Sequence, residues 1–168
     1  MPPPLTPRLR FTRWRAGDWR TFKPIATDPE VVRHISTGQP WPDERIRGFV
    51  ERQRQALRTH GFCLWKMIHR RRRRMIGICG LQPLADGGIE IGWWLAKDQW
   101  GQGLATEAAA AMLGHALGTL HLARVVCLIQ PANAASLRIA EKIGLVHESD
   151  LVYRDIPVRC YASARGRG

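Results

Sequence analysis

The arrangement of hydrophobic and polar residues changes period along the chain and predicts where strands and helices lie. Residues 8–14 alternate as a strand does, and a short helix is expected from Asp18 to about Thr27. From Asp43 to about Thr59, apolar residues recur on one helical face while arginines and glutamines occupy other positions. The first third of the chain therefore predicts one strand followed by two helices.

Three apolar segments near the middle of the chain predict an antiparallel meander. They cover residues 62–68, 75–81 and 89–95, and the sequence Asp-Gly-Gly at 86–88 marks the second turn. Five consecutive arginines, Arg70 to Arg74, fall at the first turn. We therefore expect them at or near the tip of a hairpin.

The remaining residues predict a helix, a strand, a second helix and two closing strands, over about 103–117, 124–130, 133–144, 146–153 and 158–162. The strand–helix–strand segment from Ile89 to Gln130 is typical of a parallel crossover, which is right-handed. The pattern predicts an α/β (α+β) fold whose mixed, mostly antiparallel sheet has about seven strands and about four flanking helices. Because repeats and internal breaks are absent, we expect one domain over 1–168 with flexible ends at 1–6 and 164–168.

Length and composition fit a single globular domain and argue against a membrane-spanning one. The chain has 168 residues, 45% of them hydrophobic, but no apolar run is long enough to cross a bilayer. The N-terminal sequence MPPPLTPRLR has no apolar signal core, so we expect a cytoplasmic protein with no membrane partner. The four cysteines lack close spacing and lie in strand-like stretches, which favours reduced core residues over a metal site or disulfides.

The net charge of +12 favours anionic partners. Nucleic acid, phosphorylated cofactors and acidic surfaces all fit such a charge. Clustered arginines such as Arg70 to Arg74 can bind a phosphate backbone, but no aromatic residues interleave here and no nucleic-acid motif accompanies them. A solvated hairpin tip is therefore the preferred interpretation of the arginine run.

The sequence QWGQGLATEAAAAML at 99–113 raises the question of what a helix gains by beginning after two glycines. Unpaired N–H groups in the first turn and the helix dipole favour an anion there, and glycines let a phosphate approach the backbone. A tight strand-to-helix turn without a ligand is the alternative. A P-loop does not fit because no lysine follows Gly103, and a dinucleotide fingerprint does not fit Thr106 and Gln130.

The loop resembles one known pattern. Residues 100–105 (WGQGLA) resemble the Gln/Arg-x-x-Gly-x-Gly/Ala pyrophosphate loop of the GNAT superfamily of acetyl-CoA-dependent N-acetyltransferases, with Trp100 where the pattern has Gln or Arg. The stretches that resemble its ribosomal-protein-alanine N-acetyltransferase-like (RimJ/RimL-like) branch are 8–10 (RLR), 28–31 (DPEV), 92–95 (GWWL), 100–108 (WGQGLATEA) and 133–145 (NAASLRIAEKIGL). The resemblance covers nearly the whole chain and implies a GNAT fold with a parallel strand pair at the acetyl-CoA cleft.

The resemblance also implies which residues contact acetyl-CoA. Backbone amides from Gly101 to Thr106 hold the pyrophosphate, Gln102 adds a side-chain donor, and the pantetheine arm lies beside residues 94–96. The complete expected set is Trp94, Leu95, Ala96, Trp100, Gly101, Gln102, Gly103, Leu104, Ala105, Thr106, Asn133, Ser136 and Lys142. The simple structural alternatives are helix packing for Leu104 and Ala105, capping for Asn133 and solvation for Lys142. Alternation sends Trp93 and Trp94 to opposite faces of the sheet, so at least one belongs to the core.

The implied reaction is attack of an amine on the thioester carbon, followed by departure of the thiolate. In this branch Ser136 is expected near the sulfur as the proton donor, since the tyrosine that many family members use is replaced by Ala140. Glu90, on the strand that leads to the loop, is the first candidate for the general base. Three further candidates lie in the segment that lines the acceptor site in this family: Glu30, His34 and Glu44. Glu107 sits in the first helical turn, where a structural role is expected.

The expected function is acetyl transfer from acetyl-CoA to a primary amine, either a protein N-terminus or a small molecule, without a metal ion. The sequence is also compatible with a homodimer. Two other classes stay open at this point. One is a non-catalytic acetyl-CoA-binding protein that keeps the loop but lacks a base, and the other is a nucleic-acid-binding protein that uses Arg70 to Arg74.

Overall fold

The computed structural model describes residues 3–164, which form a seven-stranded sheet flanked by helices. The strands are Leu9–Thr12 (β1), Leu64–His69 (β2), Met75–Pro83 (β3), Ile89–Leu95 (β4), Val126–Ile129 (β5), Val146–Tyr153 (β6) and Ile156–Ala162 (β7). The helices are Trp19–Ala26 (α1), Pro29–Val32 (α2), Asp43–His60 (α3), Leu104–Gly114 (α4) and Ala134–Lys142 (α5). Parts of the ends expected to be flexible, 1–2 and 165–168, lie outside this range, whereas Thr6 is buried and accepts a hydrogen bond from Leu9 N at 3.0 Å.

The strand order is β1-β2-β3-β4-β5-β7-β6, and β4 with β5 is the parallel pair while the other described neighbours are antiparallel. This confirms the predicted mixed, mostly antiparallel sheet and the crossover through α4. The ladder between β4 and β5 consists of one pair, Glu90 with Val126. The sheet therefore opens between these strands along the rest of β4, next to the start of α4.

The structure has one helix more than the sequence predicted. Helix α2 begins with Pro29, and the Asp28 side chain caps it by accepting a hydrogen bond from Glu30 N at 2.9 Å. Four residues are too few to produce a periodic apolar pattern, so the sequence analysis did not predict this helix. Helix α4 continues into a π-helical segment over 115–119, and β7 begins at Ile156, two residues earlier than expected. None of the helices within residues 3–164 is both long and apolar enough to cross a membrane.

An aromatic cluster packs α1 and α3 against the sheet. The ring of Trp94 lies 4.8 Å from that of Trp41, 5.7 Å from Phe22 and 6.2 Å from Phe49, measured between centroids. These contacts confirm that one of the two adjacent tryptophans belongs to the core. Trp93 is paired with Cys79 and lies on the opposite face of β4. All four cysteines are buried free thiols, as the sequence predicted.

The arginine run lies at the turn between β2 and β3, as predicted, but it is not simply solvated. Three of its side chains bond to other parts of the fold: Arg70 Nη1 to the carbonyl oxygen of Thr6 at 3.0 Å, Arg72 Nη1 to Gln99 Oε1 at 2.9 Å, and Arg74 to the Asp98 carboxylate. These contacts join the hairpin tip to the N-terminal segment and to the turn before α4. All five arginines are exposed, as expected of a solvated tip, but the sequence did not indicate that three of them also bond to partners distant in sequence.

Candidate active site

The loop before α4 has the backbone conformation that its glycines predict. Gly101 has φ +70° and Gly103 has φ +72°, both in the left-handed region that favours glycine. A Cβ on Gly101 would meet nothing within 4 Å, so the space above the loop is open. Glycine is favoured there by the backbone conformation and not by crowding. Trp100 Nε1 donates a hydrogen bond to Leu95 O at 2.8 Å and ties the loop to the end of β4.

The N-terminal segment fixes the other side of this loop. Arg8 Nη1 donates to Gln102 O at 2.7 Å, and Arg8 Nε donates to Glu107 Oε2 at 2.5 Å. Glu107 Oε1 also accepts from Thr6 Oγ1 at 2.6 Å. Burial alone would raise the pKa of Glu107, but the hydrogen bonds from Thr6 and Arg8 and the charge of Arg8 outweigh it and lower the pKa. The predicted structural role of Glu107 is thus confirmed.

A cavity of about 610 Å³, here called the loop cavity, lies between this loop, β4 and the start of α5. The residues of the expected acetyl-CoA set that line it are Trp94, Leu95, Trp100, Gly101, Gly103, Leu104, Ala105, Thr106, Asn133, Ser136 and Lys142. Ala96 and Gln102 are not among its lining residues. Ala96 N donates to Ile76 O just after the end of β4, and Gln102 Nε2 donates to Asp98 O at 3.3 Å. The expected side-chain donor at Gln102 is therefore turned away from the cavity.

The loop cavity also contains cations that the sequence prediction missed. Arg33 and Arg138 line it together with Lys142. Arg138 precedes Lys142 by four residues on α5, so both lie on one helical face, and this spacing was the available signal for Arg138. Open space above left-handed glycines, three cations and an opened sheet edge fit a long phosphorylated ligand such as acetyl-CoA.

A second cavity of about 650 Å³, here called the α3 cavity, lies between α3, β4, β5 and the β6–β7 turn. Glu90 lines it, and its carboxylate accepts hydrogen bonds from Gln82 Nε2 at 2.7 Å and Leu128 N at 3.4 Å. Burial raises the pKa of Glu90, and these two hydrogen bonds oppose the shift without cancelling it. The Glu90 carboxyl group therefore keeps its proton to a higher pH than an exposed glutamate does.

The two cavities meet at the start of α5 and the end of β4. The residues that line both are His34, Ile35, Trp93, Trp94, Asn133 and Ser136. Asn133 Oδ1 accepts a hydrogen bond from Ser136 N at 3.1 Å, which confirms Asn133 as the helix cap. Ser136 thus lies on the boundary that the two cavities share.

The remaining base candidates occupy different positions. His34 lies at the junction itself. Glu30 lines only the loop cavity and forms an ion pair with Lys97, while Glu44 lines neither cavity. Within residues 3–164, no group of three His, Cys, Asp or Glu side chains is arranged to hold a metal ion.

Comparison with known proteins agrees with this architecture. A family model described as "Acetyltransferase (GNAT) domain" matches residues 8–146. The protein YkkB of Bacillus subtilis (strain 168) is 30% identical over 162 residues, which covers 94% of this chain and 92% of YkkB. The crystal structure of an acetyltransferase from Agrobacterium tumefaciens strain C58 superposes with a TM-score of 0.85 at 24% identity, covering 98% of this chain and 95% of that one.

A solved structure with bound ligand has the same fold. RimL, a ribosomal L7/L12 alpha-N-protein acetyltransferase in complex with coenzyme A, superposes with a TM-score of 0.79 at 17% identity, covering 96% of this chain and 97% of RimL. The seven-stranded mixed sheet with its β4–β5 parallel pair is the GNAT fold, as predicted. Fold, family model and relatives agree: the chain belongs to the GNAT family of acetyltransferases, whose co-substrate is acetyl-CoA.

Proposed function

We propose that this protein transfers the acetyl group of acetyl-CoA directly to a primary amine, with Glu90 as general base and Ser136 as general acid. The observation that carries the proposal is the shared wall of the two cavities, to which Ser136 contributes. One cavity contains the glycine loop and three cations, and the other contains a carboxyl group. A thioester and an amine bound in the two cavities would meet at the start of α5.

The coenzyme is proposed to lie in the loop cavity. Backbone N–H groups from Gly101 to Thr106 would donate to the pyrophosphate at the positive end of the α4 dipole. Arg33, Arg138 and Lys142 supply positive charge for the remaining phosphate. Bound acetyl-CoA supplies a thioester whose carbonyl carbon accepts a nucleophile.

Glu90 is the proposed base because it combines access to the α3 cavity with a raised pKa. An α-amine has a pKa of about 8 and a lysine amine about 10.4, so either must lose a proton before or during attack. A carboxylate with a raised pKa accepts that proton more readily than an ordinary glutamate. His34, at the cavity junction, is the candidate against which Glu90 must be tested.

Ser136 is proposed to act at the leaving group. As the nitrogen–carbon bond forms, the carbon–sulfur bond breaks and the electron pair stays on sulfur as a thiolate. The Ser136 hydroxyl group would donate its proton to that thiolate and recover one from solvent. Its backbone N–H already bonds to Asn133, which holds the first turn of α5 in position.

The acceptor is proposed to be either a protein N-terminal amine or a small-molecule amine. RimL acts on a ribosomal protein N-terminus, but at 17% identity the similarity to it supports the fold alone. Membership of the RimJ/RimL-like branch therefore stays a proposal that rests on the sequence stretches above. The homodimer also stays a prediction, which sedimentation equilibrium would test.

Calorimetric titration with acetyl-CoA, with NADH as the control, tests the coenzyme part of the proposal. Micromolar binding of acetyl-CoA without binding of NADH is expected, and the absence of acetyl-CoA binding would overturn the assignment. Release of free thiol in the presence of primary amines then separates an enzyme from a non-catalytic binder. Binding without amine-dependent thiol release would favour the non-catalytic alternative.

A further inference from the structure

The α3 cavity carries more positive charge than an amine-binding site would be expected to have. The described charged side chains that line it, histidines aside, are Arg45, Arg52, Arg154 and Glu90. A protonated amine is repelled by such a surface unless its own molecule also carries negative charge. The positions of the unbalanced positive charges therefore indicate what kind of acceptor fits this cavity.

Arg45 and Arg52 form a pair on one face of α3. They are seven residues apart, about two helical turns. A Cβ built on Gly48 would lie 3.2 Å from Arg52 Nη1, so the guanidinium group of Arg52 runs back along the helix towards Arg45. Burial and the charge of Arg52 lower the pKa of Arg45, so the two groups repel each other.

Within residues 3–164, neither guanidinium group of this pair has a carboxylate partner within 4.0 Å. Arg45 instead stacks on the ring of Trp41, at 4.2 Å from its centroid. Trp41 is itself buried and lines the same cavity. Two guanidinium groups without a carboxylate partner among the described residues, on the wall of one cavity, match an anionic ligand group.

Arg154 has a different role because it lies close enough to Glu90 for its charge to lower the pKa of that carboxyl group. The charge of Arg154 is thus partly balanced by the proposed base. The unbalanced charge lies on α3, on a different element of the cavity wall from Glu90.

We propose that the acetyl acceptor is a primary amine whose own molecule carries a carboxylate or phosphate group, which Arg45 and Arg52 bind. This inference rests on the proposed function of the α3 cavity as the acceptor site. It excludes polyamines and favours amino acids, phosphorylated amines and peptides with acidic residues near the N-terminus. Arg45 and Arg52 are then residues that determine specificity.

Matched pairs of amines test the inference. The pairs are alanine with alaninamide, phosphoethanolamine with ethanolamine, and C-terminally amidated peptides that begin Ala-Asp-Asp or Ala-Asn-Asn. We expect the anionic member of at least one pair to be acetylated with the higher kcat/KM. The pair that responds distinguishes a small carboxylate, a phosphate and an acidic peptide as the source of the anion.

The variants Arg45→Gln and Arg52→Gln are each expected to raise KM for the anionic member about tenfold, with kcat and acetyl-CoA affinity little changed. Arg47→Gln is the matched control, since Arg47 also lies on α3 and stacks on Trp19 at 4.2 Å but lines neither cavity. Equal or better use of the neutral members, or an equal effect of Arg47→Gln, would overturn the inference and leave amine acetylation intact.

Binding of the same amines to the complex with free coenzyme A separates this inference from the proposed function. If anionic amines bind and the two variants weaken that binding, the anion site stands even where no acetyl transfer is detected. If the anionic amines neither bind nor react while acetyl-CoA binds normally, the anion site is disproved.

Discussion

The Glu90 carboxylate accepts a hydrogen bond from the backbone N–H of Leu128 at the place where the parallel strands β4 and β5 stop pairing. A side chain thus satisfies a backbone donor that the opened ladder leaves without a strand partner. The same contact holds the carboxyl group beside the α3 cavity. One residue therefore satisfies a backbone donor where the sheet opens and is also the proposed base.

Replacing Glu90 with Gln should slow acetyl transfer most strongly at neutral pH and less at pH 9 to 10. At high pH the acceptor amine is already neutral, so the missing base matters less. We expect a loss of about 10²-fold in kcat/KM at pH 7, within the usual range for general-base catalysis. A pH–rate profile from pH 6 to 10 would check this, and a loss of equal size at every pH would reject Glu90 as the base. His34→Asn, measured in parallel, tests the alternative.

The same Glu90→Gln variant should be more stable than the parent protein at alkaline pH. Because burial raises the folded-state pKa of Glu90, the charged form is disfavoured in the fold. The parent protein thus loses stability as pH rises from the ordinary glutamate pKa through the raised one, while the variant does not. Urea unfolding at pH 4.5 and pH 8 should show the advantage of the variant only at pH 8, provided that acceptors and coenzyme are absent.

Replacing Gly103 with Asp should weaken acetyl-CoA binding by tenfold or more. The new carboxylate would add negative charge at the start of α4, where the phosphate is expected, and its Cβ would lie 3.6 Å from Arg8 Nη2, which holds this loop. Gly61→Asp is the matched control, because Gly61 also has a left-handed backbone, with φ +78°, but lines neither cavity. Calorimetric titration of both variants with acetyl-CoA checks the prediction, and equal affinities would remove the loop from the coenzyme site.

Replacing Ser136 with Ala should lower kcat by at least tenfold while the affinity for acetyl-CoA changes less than threefold. The hydroxyl group is removed, but the backbone N–H that bonds to Asn133 remains, so the start of α5 keeps its cap. Steady-state kinetics and titration on the same preparation separate the two effects. Ser149→Ala, on the exposed strand β6, is the control for a serine-to-alanine change outside the site. Unchanged turnover in Ser136→Ala would reject Ser136 as the general acid.

Replacing Glu107 with Gln should destabilise the protein by about 1 kcal/mol at pH 7, since its carboxylate accepts charged and neutral hydrogen bonds from the N-terminal segment. The folded-state pKa of Glu107 is lowered, so this contribution is present above the ordinary glutamate pKa and lost as pH falls through the lowered one. Glu51→Gln removes an exposed, solvent-screened pair with Arg54 and should destabilise the protein less than Glu107→Gln does. Urea unfolding at pH 7 and pH 3.5 compares the two.

The sequence predicted those features that depend on local chemistry. The first strand follows from alternation and the three meander strands follow from short apolar segments. The left-handed loop follows from Gly101 and Gly103, because few other residues adopt that conformation easily. Side-chain direction in the loop could not be predicted. The side chain of Gln102 donates to the carbonyl oxygen of Asp98. The carbonyl oxygen of Gln102 accepts a hydrogen bond from Arg8, which lies more than ninety residues earlier in the chain. Such choices depend on partners that only the folded chain brings together.

The candidate site was predictable in its residues but not in its arrangement. Ser136 and Glu90 were chosen by resemblance and by position on a strand, and the structure brings each to a cavity wall. The ion pair of Glu30 with Lys97 could not be inferred, since nothing in the local sequence of either residue indicates the other. The unpaired charges of Arg45 and Arg52 likewise become apparent only once all neighbouring carboxylates are located.

The contacts of the arginine run have a consequence for how this segment can vary among related proteins. Arg72 and Arg74 bond to Gln99 and Asp98, whereas Arg71 and Arg73 have no polar side-chain partner among the described residues. Position 71 can then accept any polar residue, whereas position 73, with φ +53°, favours glycine or asparagine. Changes at 72 and 74 should instead be accompanied by changes at 98 and 99, so the four arginines at 71–74 fall into two classes of position that are under different selection.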